Sequence, residues 1–210
     1  MSSSLTAAPS DAQSSDARLN TIPSLDGAPP LVTVRHLSKA YRGRPALRDF
    51  SMSLPAGRIV GLMGANGCGK TTLLKILAGV MADYEGEVRI AGHAPGLQSK
   101  ALVSFLPDAD FLATSLTPPR AIAQFSRLFA DFDAAKARRL VDFFGLPADR
   151  SIKEMSKGMG EKLRIALVMS RRARVYLLDE PISGVDPAAR EIILDGVLRD
   201  FESDSLMLIS

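Results

Sequence analysis

The chain has 210 residues, of which 46% are hydrophobic and 23% are charged, and its formal net charge is +3. These values fit one globular domain or a small pair of domains, and the charge is too mild to indicate a nucleic acid partner by itself. The single cysteine excludes an internal disulfide. No run of about 18 apolar residues occurs in the sequence, so we expect no membrane-spanning segment.

Composition separates the start of the chain from the rest. Residues 1–30 are rich in Ser, Ala, Pro and Asp and contain almost no large apolar cluster, which is typical of a disordered arm. This segment also lacks the basic start and the apolar core of a signal peptide. We therefore predict a disordered N-terminal arm over 1–30 and an ordered domain over 31–210.

Apolar patterning predicts four β-strands in the first half of the ordered region. Residues 31–34, 50–54 and 87–92 have the alternation of short strands. A fourth strand is expected at the apolar run 59–63, and the residues from 72 to 78 then resemble a helix. A strand, a loop and a helix therefore follow one another in this part of the sequence.

The loop between that strand and that helix carries the most specific motif of the chain. Its sequence, Gly-Ala-Asn-Gly-Cys-Gly-Lys-Thr over 64–71, fits the phosphate-binding pattern G-x-x-x-x-G-K-[ST]. Glycines let consecutive backbone N–H groups point at phosphate oxygens, and the following helix adds its positive N-terminal end. We expect Lys70 to bring a cation to the outer phosphates and the Thr71 hydroxyl to hold Mg²⁺.

Helical periodicity dominates the region from Thr117 to about 146. One helix is expected to start at Thr117, and a second to run from about Asp133 to Gly145. Their apolar side chains are expected to face the core: Ile122, Phe125, Leu128, Phe129, Leu140, Phe143 and Phe144. Further along, 187–201 predicts a helix and 206–209 a last strand.

Asp179 and Glu180 follow a short apolar strand, 175–178, which we expect to be buried on both faces of a parallel sheet. An aspartate at the end of such a strand is placed to hold Mg²⁺, directly or through water. The adjacent glutamate can orient and deprotonate an attacking water. An acidic pair alone is a weak signal, but the phosphate-binding loop upstream makes it specific.

A second anion site is predicted where Ser156, Lys157 and Gly158 precede the helix-like run 161–169. Ser156 and Gly158 would lie at the N-terminus of that helix, where free N–H groups attract an anion. An ordinary serine helix cap is the alternative, and this segment taken alone favours the cap.

Taken in order, these motifs resemble the ATP-binding-cassette (ABC) family over nearly all of 31–210. Residues 64–72 look like the Walker A motif, and 175–180 look like Walker B. Ser156-Lys157-Gly158 corresponds to the signature motif, usually Leu-Ser-Gly-Gly-Gln, and 183–186 looks like the D-loop. The resemblance implies an α/β fold of the P-loop NTPase type. It has a mixed central sheet, an antiparallel β subdomain and a helical subdomain at about 117–170.

The resemblance also assigns roles to individual residues. Glu180 and Lys70 are the implied catalytic residues, and Thr71, Asp108 and Asp179 are the implied Mg²⁺ ligands. The signature residues Ser156, Lys157 and Gly158 would contact the ATP of a partner subunit. The implied ATP-binding residues are Tyr41, Gly64, Ala65, Asn66, Gly67, Cys68, Gly69, Lys70, Thr71 and Thr72.

Three features depart from the family's pattern. Asp108 stands where the Q-loop glutamine is expected, and its carboxylate could still ligate Mg²⁺ or its water. Lys157 and Met159 replace the first glycine and the glutamine of the signature, a variant that resembles cassettes of bacterial exporter-type systems. The switch histidine should follow the last strand, and the sequence ends at Ser210, so we expect the C-terminal part of the cassette to be missing.

The function implied is an ATP-binding and hydrolysing subunit of an ABC transporter. Two cassettes would face each other head to tail with ATP between them, either as a homodimer or as a heterodimer. A separate transmembrane permease subunit would complete the transporter. The chain would then be cytoplasmic, peripheral on the inner face of the cell membrane, with no nucleic acid partner. The alternative is a soluble ABC-type ATPase acting on ribosomes or DNA.

Overall fold

A computed structural model describes residues 29–183, 185–199 and 201–210. The predicted arm therefore lies outside the described residues, apart from Pro29 and Pro30. The first sheet is antiparallel, has the order β2-β1-β4, and consists of β1 (Val32–Tyr41), β2 (Arg44–Leu54) and β4 (Glu85–Ile90). The first two strands are longer than their apolar patterns predict, because each continues beyond its apolar core into exposed residues that still pair.

The second sheet is parallel and has the order β3-β7-β6-β5. Its strands are β3 (Arg58–Gly61), β5 (Val103–Leu106), β6 (Val175–Leu178) and β7 (Leu206–Ile209). Every residue of β6 is buried, as expected for a strand covered on both faces. Because all four strands run the same way, the residues that follow them gather at one edge of the sheet. The α/β fold class is confirmed, and its mixed character comes from these two sheets.

The described residues form six α-helices: α1 (Lys70–Leu77), α2 (Leu97–Leu102), α3 (Pro118–Leu128), α4 (Ala134–Phe143), α5 (Lys157–Met169) and α6 (Pro187–Arg199). A short 3₁₀ helix, Ile152–Glu154, precedes α5. The sequence patterns did not predict α2 or β5. Helix α5 begins at Lys157, ahead of the helical run recognised at 161–169, because Ser156 caps it.

Two apolar clusters form the core of the described region. One cluster joins α1 to residues of both sheets. The other contains buried residues of α3, α4, α5 and α6 and includes most of the predicted helical stripes. Leu128 and Phe143 differ from the prediction, since they are 63% and 39% exposed. Leu128 is the last residue of α3, whose buried residues are Pro118, Ala121, Ile122 and Phe125.

Candidate functional site

The loop over 64–71 joins β3 to α1 and has the backbone geometry that its glycines predict. Gly67 and Gly69 have φ angles of 83° and 99°, which residues with a Cβ rarely adopt. A Cβ on Gly69 would also lie 2.4 Å from the Ala46 carbonyl oxygen, so no larger residue fits there. Gly69 is the N-cap of α1 and provides no side-chain cap, which leaves the first N–H groups of the helix for a ligand.

The Lys70 ammonium lies inside this loop. Its Nζ atom donates hydrogen bonds to the carbonyl oxygens of Gly64, at 2.9 Å, and Ala65, at 3.2 Å. The Cys68 sulfur, the one thiol of the chain, lies 4.0 Å from the same nitrogen. The loop therefore combines backbone donors with a fixed positive charge, the combination that a polyphosphate requires.

A hydrogen bond joins this loop to the end of β6. The Thr71 hydroxyl donates to Asp179 Oδ1 at 3.0 Å, and the Ser210 hydroxyl donates to the same oxygen at 2.8 Å. Asp179 is only 1% exposed. Its Oδ2 atom is buried and has no hydrogen-bond partner among the described residues. A buried carboxylate oxygen without a partner, beside a threonine hydroxyl, fits the oxygen ligands that Mg²⁺ prefers.

Glu180 occupies a strained position next to Asp179. Its φ angle is 50°, in the left-handed region that non-glycine residues seldom adopt. Its backbone N–H donates to the Ser210 hydroxyl at 3.0 Å, and its carbonyl oxygen accepts from Ser183 N at 3.1 Å. A pocket of about 300 Å³ is lined by Glu180 together with Lys70, Thr71 and Tyr41. The predicted catalytic glutamate and the phosphate-binding loop thus share one cavity.

Tyr41 is the last residue of β1 and borders that pocket. Its hydroxyl lies 3.4 Å from Thr72 Oγ1 and donates to the Met81 sulfur at 3.4 Å. The side chain is 44% exposed, and the Lys39 ammonium lies 5.2 Å from the ring centroid. An exposed aromatic ring beside a phosphate-binding loop is well placed to stack on a flat base.

The predicted signature segment lies at the start of α5. Ser156 is the N-cap, and its hydroxyl accepts a hydrogen bond from Met159 N at 3.2 Å. Ser156 and Lys157 are both exposed, and Gly158 is the second residue of the helix. A pocket of about 400 Å³ is lined by Ser156 and Lys157 together with Asp108, Asp179 and Glu180. Asp108 therefore lies on the side of the carboxylates that faces α5. Gly184, in the segment that resembles a D-loop, lies outside the described residues.

An ionic cluster that the sequence patterns did not predict lies in this second pocket. The guanidinium of Arg164 bonds to Glu161 on the same helix and lies 2.8 Å from the Asp110 carboxylate. Burial raises the pKa of the Glu161 carboxyl, against the opposing effect of Arg164. The available signal was an acidic and a basic residue three positions apart on the buried face of α5. Ser210 was also missed, although it follows the last strand directly.

Among the described residues, no three His, Cys, Asp or Glu side chains lie close enough together to bind a metal ion. A cation at this site would therefore be held by Asp179, Thr71 and the oxygens of a bound polyphosphate. Within the same described ranges, no helix is long and apolar enough to cross a membrane.

A strand, a glycine loop with an inward lysine, and a buried aspartate beside a glutamate define a nucleotide-binding domain of the P-loop class. Residues 47–183 match the family described as ABC transporter, and the chain belongs to this family.

Curated relatives agree with this assignment. The chain is 28% identical over 183 residues to the ABC transporter ATP-binding protein YtrB of Bacillus subtilis, covering 86% of this chain and 63% of YtrB. It is 35% identical over 182 residues to the aliphatic sulfonates import ATP-binding protein SsuB 1 of Pseudomonas savastanoi, covering 85% and 72%. The chain thus spans less than two thirds of the length of YtrB.

A solved structure has the same fold. An ATP-binding subunit of an ABC transporter superimposes with a TM-score of 0.73 at 25% identity, covering 86% of this chain and 79% of that one. The family and the fold expected from the motifs are therefore confirmed. The comparisons do not favour a ribosomal or DNA-acting ATPase.

Proposed function

We propose that this protein is the ATP-binding and hydrolysing subunit of an ABC transporter and powers the movement of a substrate through separate membrane subunits. The observation that supports this best is the hydrogen bond between Thr71 and Asp179. It connects the phosphate-binding loop to Asp179, the residue directly before the proposed catalytic Glu180.

Residues of both pockets have roles in this proposal. The loop N–H groups and Lys70 bind the β- and γ-phosphates of ATP, and Tyr41 stacks on adenine. Glu180 orients the attacking water and accepts its proton. Asp179 and Thr71 would hold Mg²⁺, with Asp108 as a further candidate that reaches it through water. When bound, Mg²⁺ neutralises charge on the phosphate oxygens.

A second subunit completes the site in this proposal. Ser156, Lys157 and Gly158 lie at an exposed helix start, where they can contact the γ-phosphate of an ATP that a second cassette binds. Removal of the γ-phosphate by hydrolysis would then weaken the dimer and open it.

The proposal of a membrane partner is supported by the names of the relatives. YtrB is named as an ABC transporter ATP-binding protein, and SsuB 1 as an import ATP-binding protein. We infer a separate permease subunit for this protein too, and a position at the inner face of the cell membrane. The transported substrate and its direction would be set by that permease.

An ATP titration tests the binding part of the proposal. Lys70→Ala is expected to weaken ATP binding by about 1.5–3 kcal/mol, since charge-assisted hydrogen bonds are lost. Lys75→Ala, on the same helix but outside the pocket, is the matched control and should bind ATP as the wild type does. Equal affinities for the two variants would contradict the assignment of the loop.

Fractionation of cells tests the transporter part. The protein is expected to sediment with membranes and to be released when its permease is deleted. Sedimentation with ribosomes, resistant to loss of the permease, would support the alternative ATPase instead.

A further inference from the structure

Ser210 lies beside Asp179 because of the register of two neighbouring parallel strands. Leu178 of β6 pairs with Ile209 of β7, and Ser210 N donates to the Leu178 carbonyl oxygen at 3.0 Å. Paired residues of parallel strands point to the same face of the sheet. The next pair along, Asp179 and Ser210, therefore has its side chains together at the edge of the sheet.

The Ser210 hydroxyl makes two hydrogen bonds with different partners. It donates to Asp179 Oδ1 at 2.8 Å and accepts from the Glu180 backbone N–H at 3.0 Å. A hydroxyl can make both at once, because it has one proton and two lone pairs. Thr71 donates to the same Oδ1 atom, so two hydroxyls fix the rotamer of this carboxylate. Oδ2 is the oxygen of this carboxylate that has no hydrogen-bond partner in the part of the chain that the structure describes.

The second hydrogen bond acts on the backbone of Glu180. Its φ angle of 50° is unfavourable for a residue with a Cβ and needs support from its surroundings. That support comes from Ser210 at the N–H group and from Ser183 at the carbonyl oxygen. One serine hydroxyl therefore bonds to both acidic residues, to the side chain of Asp179 and to the backbone of Glu180.

We propose that Ser210 is a positioning residue of the ATP site, which aims Asp179 Oδ2 at the Mg²⁺ position and holds Glu180 in place for the attacking water. This inference rests on the proposed function. Partners of metal-ligating carboxylates commonly change metal affinity or activity by about 10- to 100-fold when they are removed.

The test compares Ser210→Ala with Ser210→Thr and with a matched control, Ser205→Ala. Ser205 precedes the other end of β7, is buried, and donates to the Ala173 carbonyl oxygen at 3.3 Å, away from the pocket. Binding of a fluorescent ATP analogue is measured first in EDTA and then during a Mg²⁺ titration. Steady-state ATP hydrolysis gives kcat and KM for the same variants.

Ser210→Ala is expected to bind nucleotide in EDTA as the wild type does, but to need about tenfold more Mg²⁺ for its half-maximal effect. Its kcat should fall about 10- to 100-fold with little change in KM. Ser210→Thr should restore both values to near wild type, and Ser205→Ala should leave both unchanged.

Two results would overturn the inference. One is a Ser210→Ala variant with wild-type Mg²⁺ dependence and kcat. The other is an equal loss of nucleotide binding in EDTA, which would show a structural role only. Measurements on the wild-type protein distinguish a failure of this inference from a failure of the proposed function. A wild-type protein that binds MgATP but does not hydrolyse it would refute the ATPase proposal, while its Mg²⁺ titration against Ser210→Ala would still decide the role of Ser210.

Discussion

The starts of α1 and α5 are both predicted anion sites, yet the structure builds them differently. Gly69 gives α1 no side-chain cap, whereas the hydroxyl of Ser156 caps α5 through Met159 N. The loop before α1 is also joined to Asp179, which lies far along the chain. The hydrogen bonds given for Ser156 are local, from Met159 N and Gly160 N of the same helix, and its side chain is exposed.

This contrast shows what makes a helix N-terminus into a binding site. At α1, uncapped N–H groups, an inward lysine and Glu180 lie around one pocket, and Thr71 of that pocket is hydrogen-bonded to the buried Asp179 carboxylate. At α5, the side chain of Lys157 is exposed, and the Ser156 hydroxyl already accepts a hydrogen bond from Met159 N. The first arrangement can bind a nucleotide within one chain, and the second is suited to add contacts to a nucleotide that another subunit already holds.

The largest effect on activity is expected in the pocket in front of α1, at Glu180. Glu180→Gln removes the proposed base but keeps the shape of the side chain, so ATP should still bind while kcat falls by about 10²- to 10⁴-fold. Without hydrolysis, ATP should trap the dimer, which gel filtration with ATP measures. Glu191→Gln, on the exposed face of α6, is the control. An active Glu180→Gln protein would mean that another group activates the water.

How far the sequence predicts this architecture depends on the range of each signal. The loop over 64–71 and the buried strand before Asp179 are local patterns, and both are where the sequence places them. Helix α2 has only six residues, too few to show a clear helical period. Ser210 could not be placed beside Asp179 without the register of β6 and β7, which no local pattern contains.

The ionic cluster of Arg164 shows the same limit. Glu161 and Arg164 read as an ordinary pair on a solvated helix face, but their side chains are only 6% and 12% exposed. Their burial follows from the pocket between α5 and the loop that carries Asp110. The missing information was therefore tertiary packing, and the helix pattern by itself was correct.

The start of α5 gives the next prediction. Ser156→Asp keeps a good helix cap but places a negative charge where the partner's γ-phosphate should lie. Unfolding temperature should stay near that of the wild type, while ATP-dependent dimerisation is lost, since such a like-charge contact costs several kcal/mol. Ser156→Asn is the matched control, because asparagine is a neutral cap of similar size. If Ser156→Asp dimerises normally on ATP addition, Ser156 is a cap and nothing more.

A smaller effect, on ATP affinity, is expected at Tyr41, where adenine is proposed to bind in the pocket in front of α1. Tyr41→Ala should weaken ATP binding by about 1–2 kcal/mol, the scale of base–aromatic stacking. Tyr41→Phe keeps the ring and loses only the long hydrogen bonds to Thr72 and Met81, so it should bind nearly as the wild type does. Calorimetric titration of both variants measures this. Wild-type affinity in Tyr41→Ala would place adenine away from this ring.

Thiol labelling compares the two helix starts in one experiment. Cys68 is exposed and lies within the loop that should hold phosphate, 4.0 Å from the Lys70 ammonium. ATP should therefore slow its alkylation severalfold at any protein concentration, and alkylation should in turn block ATP binding. A second protein, Lys157→Cys with Cys68→Ser, reports on α5. Its labelling should slow only at concentrations where ATP produces dimers, because the protection there comes from the partner subunit. Equal labelling of Cys68 with and without ATP would contradict the binding of phosphate by this loop. Protection at position 157 that does not depend on protein concentration would mean that α5 contacts the ATP bound by its own chain.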